Sequence, residues 1–129
     1  MHGASASPPP PLAEGDWRDH ADYLQGVDLF NHGFFWEAHE AWEGVWHANA
    51  RRGDEASLLA ALIRLAALRL KIRDERPEGR ASLARGVEAA LGPILARPTL
   101  CGLVPATLLG LARAAGEEAP ILVLAEPGR

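Results

Sequence analysis

The sequence has one cysteine, Cys101, so no disulfide can form within the chain and a packed core must supply the stability. No neighbouring residue marks that thiol for activation, so it reads as a small core hydrophobe, and its isolation suits a reducing compartment. Branched aliphatics are scarce. Val and Ile supply 9 of the 62 apolar residues, against 24 Ala and 19 Leu, and unbranched side chains lose little rotamer freedom in a helix, so an all-α fold is expected. Long apolar runs are missing too: the longest uncharged stretch, Pro98 to Ala112, is 15 residues, and its apolar part from Leu100 to Ala112 is 13 with Gly and Pro inside it. A bilayer crossing needs roughly 20 apolar residues, so no membrane span is expected. The start of the chain lacks a basic segment followed by an apolar one, which argues against a secretory signal and for the cytoplasm. There is no basic excess either: the net charge of −4 disfavours nucleic-acid binding in general. Phosphate-cradling glycine loops of the nucleotide-binding kinds are absent as well.

What is present fits one compact domain of 129 residues, an array of about five helices. Residues 1–15, rich in Pro, Ser and Ala, read as a flexible leader, 16–116 as the helical domain and 117–129 as a tail. Asp16 is the expected N-cap of a first helix ending near Gly33. A second helix is expected over about Phe34 to Asn49, with Gly53 and Asp54 as a stop and a fresh cap. The third, about Glu55 to Arg73, is apolar nearly all round and should be central. Pro77 should open a fourth helix reaching Leu91, and Pro105 a fifth ending at Gly116, before a docking segment at Ile121 to Leu124. No internal repeat is visible. Charge is uneven: Glu14 to Glu43 holds eight acids and one base, Arg51 to Arg85 nine bases and five acids. Such halves are expected to face each other.

All eight aromatic residues lie between Trp17 and Trp46. At about 100° per residue, Trp42, Phe35, Trp46, His39, Glu43 and Trp36 fall in that order across an arc of about 120° of the second helix. His39 and Glu43 therefore sit amid an aromatic stripe, where unpaired burial of a polar group costs roughly 2–7 kcal/mol. At i and i+4 the two are neighbours, so Glu43 is expected to accept from one imidazole nitrogen and leave the other for a carbonyl, a metal or a substrate. Glu40 flanks the same opening. A cation of the third helix, Arg64 or Arg69, is expected to reach Glu43 or Glu40 and close a polar latch between the two helices.

The reading favoured by these residues is a non-enzymatic helical protein whose His39 and Glu43 cluster borders an aromatic-lined pocket for a small ligand or a protein partner. The alternative is a small metal- or water-dependent hydrolase, with His39 as acid or base, Glu43 as its orienter and Glu40 beside them. Least favoured is nucleic-acid docking through Arg69, Lys71, Arg73, Arg76 and Arg80. His39-Glu40-x-x-Glu43 lacks the second histidine of a zinc-protease helix, and the chain contains no Glu-x-x-His. Metal, cofactor and oligomeric state are left unknown.

The segment Phe30-Asn31-His32-Gly33-Phe34-Phe35-Trp36-Glu37-Ala38-His39-Glu40-Ala41-Trp42-Glu43-Gly44-Val45-Trp46 resembles the signature of a small bacterial and archaeal family, domain of unknown function 309. Its His-x-x-x-Glu-x-x-Trp pattern is matched by His39, Glu43 and Trp46, and its Asn-x-Gly turn by Asn31 to Gly33. The likeness runs from about Tyr23 to Leu91, and is strong through Trp46 and looser after it. Arg64 and Arg69 depart from the glutamine and histidine of that pattern. The resemblance implies a compact array of helices and no assigned activity.

Overall fold

The computed structural model describes residues 8–114 and 121–125. Among them the fold is all-α: α1 (Ala21–Asn31), α2 (Phe35–Ala48), α3 (Asp54–Arg73), α4 (Arg80–Leu91) and α5 (Pro105–Ala114), with short 3-10 segments at Glu14–Asp19 and Gly92–Ile94. No strand occurs among the described residues, only one isolated bridge between Leu100 and Leu103. Residues 1–7 of the expected leader, and 117–120 and 126–129 of the expected tail, lie outside the described residues, as does Gly116.

Consecutive helices pack in sequence, α1 on α2, α2 on α3, α3 on α4 and α4 on α5, while α3 also meets α5. The helix apolar on nearly every face is thus central, and its Leu58, Leu59, Leu62 and Leu65 have no exposed surface. The aromatic cluster fills the α1–α2 seam. Phe30 meets Phe35 edge-on at 5.1 Å and lies 5.9 Å from the fully buried Trp42. The Trp42 indole donates to the carbonyl of Tyr23 at 3.2 Å, so a ring too large to bury with a bare N–H finds its partner on the facing helix.

Several boundaries differ from expectation. Asp16 does not cap α1: it lies in a 3-10 stretch with non-helical backbone (φ −137°), and the cap is His20. The Tyr23 N–H donates to Nδ1 of His20 at 3.1 Å, while Nε2–H donates to the Pro10 carbonyl at 2.7 Å. One buried neutral imidazole therefore starts the helix and ties down the preceding chain. Gly53, not Asp54, occupies the cap position of α3, and the Asp54 carboxylate instead accepts from Arg97 at 2.7 Å. Pro77 lies outside α4, which begins three residues later at Arg80. Gly33, at φ +85°, releases α1 as expected.

Both described ends of the chain are packed. Asn49, just past α2, accepts from the Leu12 N–H at 2.8 Å and donates to its carbonyl at 2.9 Å. Asn31, the last residue of α1, treats Leu122 in the same way, at 2.7 and 3.0 Å. Leu12 and Leu122 are buried. Pro8 to Ala13 carries no helix, yet Leu12 contributes to the core, which composition alone did not suggest.

Candidate functional site

The buried side of α2 is formed by Phe35, Ala38, Trp42 and Val45. At about 100° per residue that set is centred near Trp42, leaving His39 at its edge, Glu43 farther round and Trp36 beyond both. The arc drawn through the aromatics alone is therefore displaced, because Ala38 and Val45 mark the core side as strongly as the rings do. Trp36 is 51% exposed and Phe34, just before the helix, 54%. His39 and Glu43 are half-buried and Glu40 is exposed.

His39 stacks face to face on Trp36, ring centroids 5.1 Å apart and planes within 9°. Its Nδ1 is buried and has no hydrogen-bond partner. The expected bond from His39 to Glu43 is not formed. Neither Glu43 nor Glu40 makes an ion pair or hydrogen bond among the described residues, so the latch does not close. Arg64 donates only to the Ala60 carbonyl on its own helix, at 3.4 Å. Arg69 is buried, and burial lowers its pKa from the ordinary arginine value.

The physical reason is the wheel position. One turn beyond His39 and farther from the core side, Glu43 is only half-buried, so its carboxylate can keep part of its hydration instead of surrendering it to an imidazole. The acidic and basic segments do face each other where α2 packs on α3, but without ion pairs across that seam among the described residues. The ion pairs that form are local or join other segments: Arg97 with Asp54, Arg113 with Glu88, Arg73 with Asp74 and His32 with Asp28. Among the described residues, none of these pairs links the acids of 14–43 to the bases of 51–85.

His39 and Trp36 form one wall of a cleft of about 180 Å³ between the start of α2 and the end of α3. Phe35, Ala67 and Leu70 supply its apolar floor, and Lys71, Asp74 and Arg76 its rim. Arg73 does not line the cleft: its guanidinium lies 5.5 Å from the Phe35 ring centroid and donates to the Gly33 carbonyl at 2.8 Å. Arg80 is spent on the carbonyls of Arg76 and Lys71. Of the cations singled out from sequence, Lys71 and Arg76 thus border the same opening as His39.

Cys101 lies in the core, away from this cleft. Burial first, then the nearby Glu14 carboxylate, pushes its thiol up to about 12, so it is not a nucleophile at neutral pH. Among the described residues no three His, Cys, Asp or Glu side chains are grouped to hold a metal ion. No described helix is long and apolar enough to cross a membrane. The residues sequence reasoning missed are His20, Asn31 and Asn49. Their signal was positional, polar side chains at helix boundaries, where they bond backbone.

Residues 23–83 match the family model of Domain of unknown function (DUF309), so the resemblance read from the Asn-x-Gly turn and the following helix holds over that segment. No curated protein and no solved structure matches the chain.

Proposed function

We propose that this protein is a non-enzymatic helical domain that binds a small ligand in the cleft between Trp36, His39 and Leu70. The ligand carries a flat apolar body and an anionic group. The observation that carries this reading is His39, a cleft-lining imidazole stacked on Trp36 whose Nδ1 is buried without a hydrogen-bond partner. A polar atom kept from water without a partner costs about 1–3 kcal/mol, a cost that is removed if the imidazole turns to present that nitrogen to a ligand. The half-exposed Trp36 face offers a surface for stacking, and Lys71 and Arg76 outnumber Asp74 at the rim, which favours negative charge. The volume of about 180 Å³ suits a single ring, below the roughly 300–1,000 Å³ of sites for drug-sized molecules. Hydrolysis by His39 and Glu43 has less support. With no hydrogen bond between them, the carboxylate does not set the imidazole tautomer as a general-base pair requires.

Benzoate is a suitable probe, followed by NMR at the Trp36 indole and the His39 amide. Saturable shifts are expected, weakened at least about tenfold in His39→Leu through loss of the polar contact. The same variant should be as stable as the parent or more so, because it replaces an unsatisfied nitrogen with methyl groups. A latch would instead lose about 1–3 kcal/mol in urea unfolding. Unchanged benzoate affinity in His39→Leu, or no saturable shift at all, removes the reading.

A further inference from the structure

At the other end of the α2–α3 pair lies a second, larger cleft of about 340 Å³, opening where the 50–53 loop meets α3 and α4. Arg51, Arg52 and Arg64 line it together with Trp46, Ser57 and Gly86, and among the described residues no Asp or Glu does. The acids closest in sequence are engaged elsewhere. Asp54 holds Arg97 at 2.7 Å, Glu55 accepts from the Glu14 N–H at 3.2 Å, and Glu88 holds Arg113 at 3.0 Å. The three arginines contrast with Arg97 and Arg113, which have carboxylate partners. Among the described residues, Arg51 lies over the Trp46 ring at 5.5 Å, Arg64 donates to its own-helix Ala60 carbonyl, and Arg52 makes no ion pair.

The cleft is also shaped to hold one of these cations in place. A Cβ on Gly86 would fall 2.7 Å from Cδ and 3.1 Å from Nε of Arg64, so only glycine on α4 leaves room for that side chain to lie along the groove. The loop, for its part, holds Ala50 and Arg51 at φ 57° and 58°, in the left-handed region that non-glycine residues avoid. That conformation carries the Arg51 side chain over Trp46.

We infer that this cleft is a binding site for the phosphate of a small phosphomonoester. Guanidinium groups present paired donors that match phosphate oxygens, and a dianion answers the charge that the neighbouring acids leave uncompensated. Ser57 adds a hydroxyl donor at the same wall. The cleft is concave and local while the chain as a whole carries −4, an arrangement that admits one phosphate group and repels a long polyanion.

The test uses the whole chain, labelled with nitrogen-15 and titrated with inorganic phosphate and then phenyl phosphate at constant ionic strength. The amides of Gly53 and Gly86 and the Trp46 indole should shift along one saturable curve. Arg52→Gln and Arg64→Gln should each weaken binding about tenfold. Both arginines are exposed, so the thermal midpoints should hold. Gly86→Ala should weaken binding to a similar degree by displacing Arg64, whereas Lys71→Gln in the other cleft should change it less than about twofold. A linear drift that sodium chloride reproduces overturns the inference, as does unchanged affinity in Arg64→Gln. Displacement of phosphate by a single-stranded oligonucleotide, at lower phosphate-group concentration than phenyl phosphate requires, overturns it in favour of nucleic-acid binding.

Discussion

Replacing a glycine inside a helix with alanine ordinarily adds about 0.5–1 kcal/mol of stability, but Gly26 of α1 faces Trp42 so closely that a Cβ would overlap the indole. Gly26→Ala is therefore expected to destabilise by about 1–3 kcal/mol, the range for overpacking. A lower urea midpoint at unchanged slope would show it, and a gain in stability would mean the helices can separate freely. At this scale the sequence was legible where one residue type has one physical use. His39 was found by its place on an amphipathic helix. The bond expected from it to Glu43 does not form, because i and i+4 spacing permits a contact without requiring it, and water competes for Glu43. The thiol of Cys101 was read as a core hydrophobe, and it is fully buried. It should resist a disulfide reagent at pH 8 in native buffer and react at the rate of unfolding; rapid modification of the folded chain would contradict the burial.

Helices α1 and α2 each end on an asparagine that holds an extended segment by two hydrogen bonds, Asn31 on Leu122 and Asn49 on Leu12. A carboxamide carries one acceptor and a donor group, as a peptide unit does, so it stands in for a neighbouring strand. Asn49→Ala should cost about 1–2 kcal/mol, at about 0.5–1.5 kcal/mol per bond, and should raise hydrogen exchange at Leu12 while leaving Leu122 protected. Asn31→Ala should do the reverse. Equal loosening of both ends by either variant would show that the clamps are not independent. Helix cores were legible from their apolar spacing, and α2 and α3 fall within a residue or so of expectation. Starts were less so. Asp16, Asp54 and Pro77 are each good starting residues by local chemistry, yet His20, Gly53 and Gly79 take those places. At Asp54 the competing contact is Arg97, 43 residues away, which local propensity does not register.

For the molecule as a whole, the α1 face and the loop after the second 3-10 turn are joined by one buried cluster. The Tyr23 hydroxyl donates to the Cys101 carbonyl at 2.8 Å, and the Cys101 N–H donates to Glu14 at 2.6 Å. Gly102 beside it, at φ +82°, lets Trp17 lie where a Cβ would come within 2.6 Å of the ring. Burial raises the pKa of Tyr23 well above 10.0, and raises Cys101 from 9.0 to about 12. Both folded groups thus hold their protons at pH values where the unfolded chain has released them. Their stabilisation is complete below about pH 9 and is lost as pH rises toward 12. The melting temperature should fall across that window, less steeply in Cys101→Ala, and a flat alkaline profile in the parent would refute the linkage. The sequence by itself determined the all-α class, the central place of α3 and the chemically distinct helix around His39, because alternation of apolar and polar residues is a local property of the chain. Tertiary structure alone decided that Glu43 does not pair with His39, that Arg51, Arg52 and Arg64 share a cleft and that asparagines clamp both described ends. Those outcomes depend on which distant group arrives first at a donor or a cavity, and no local spacing records that competition.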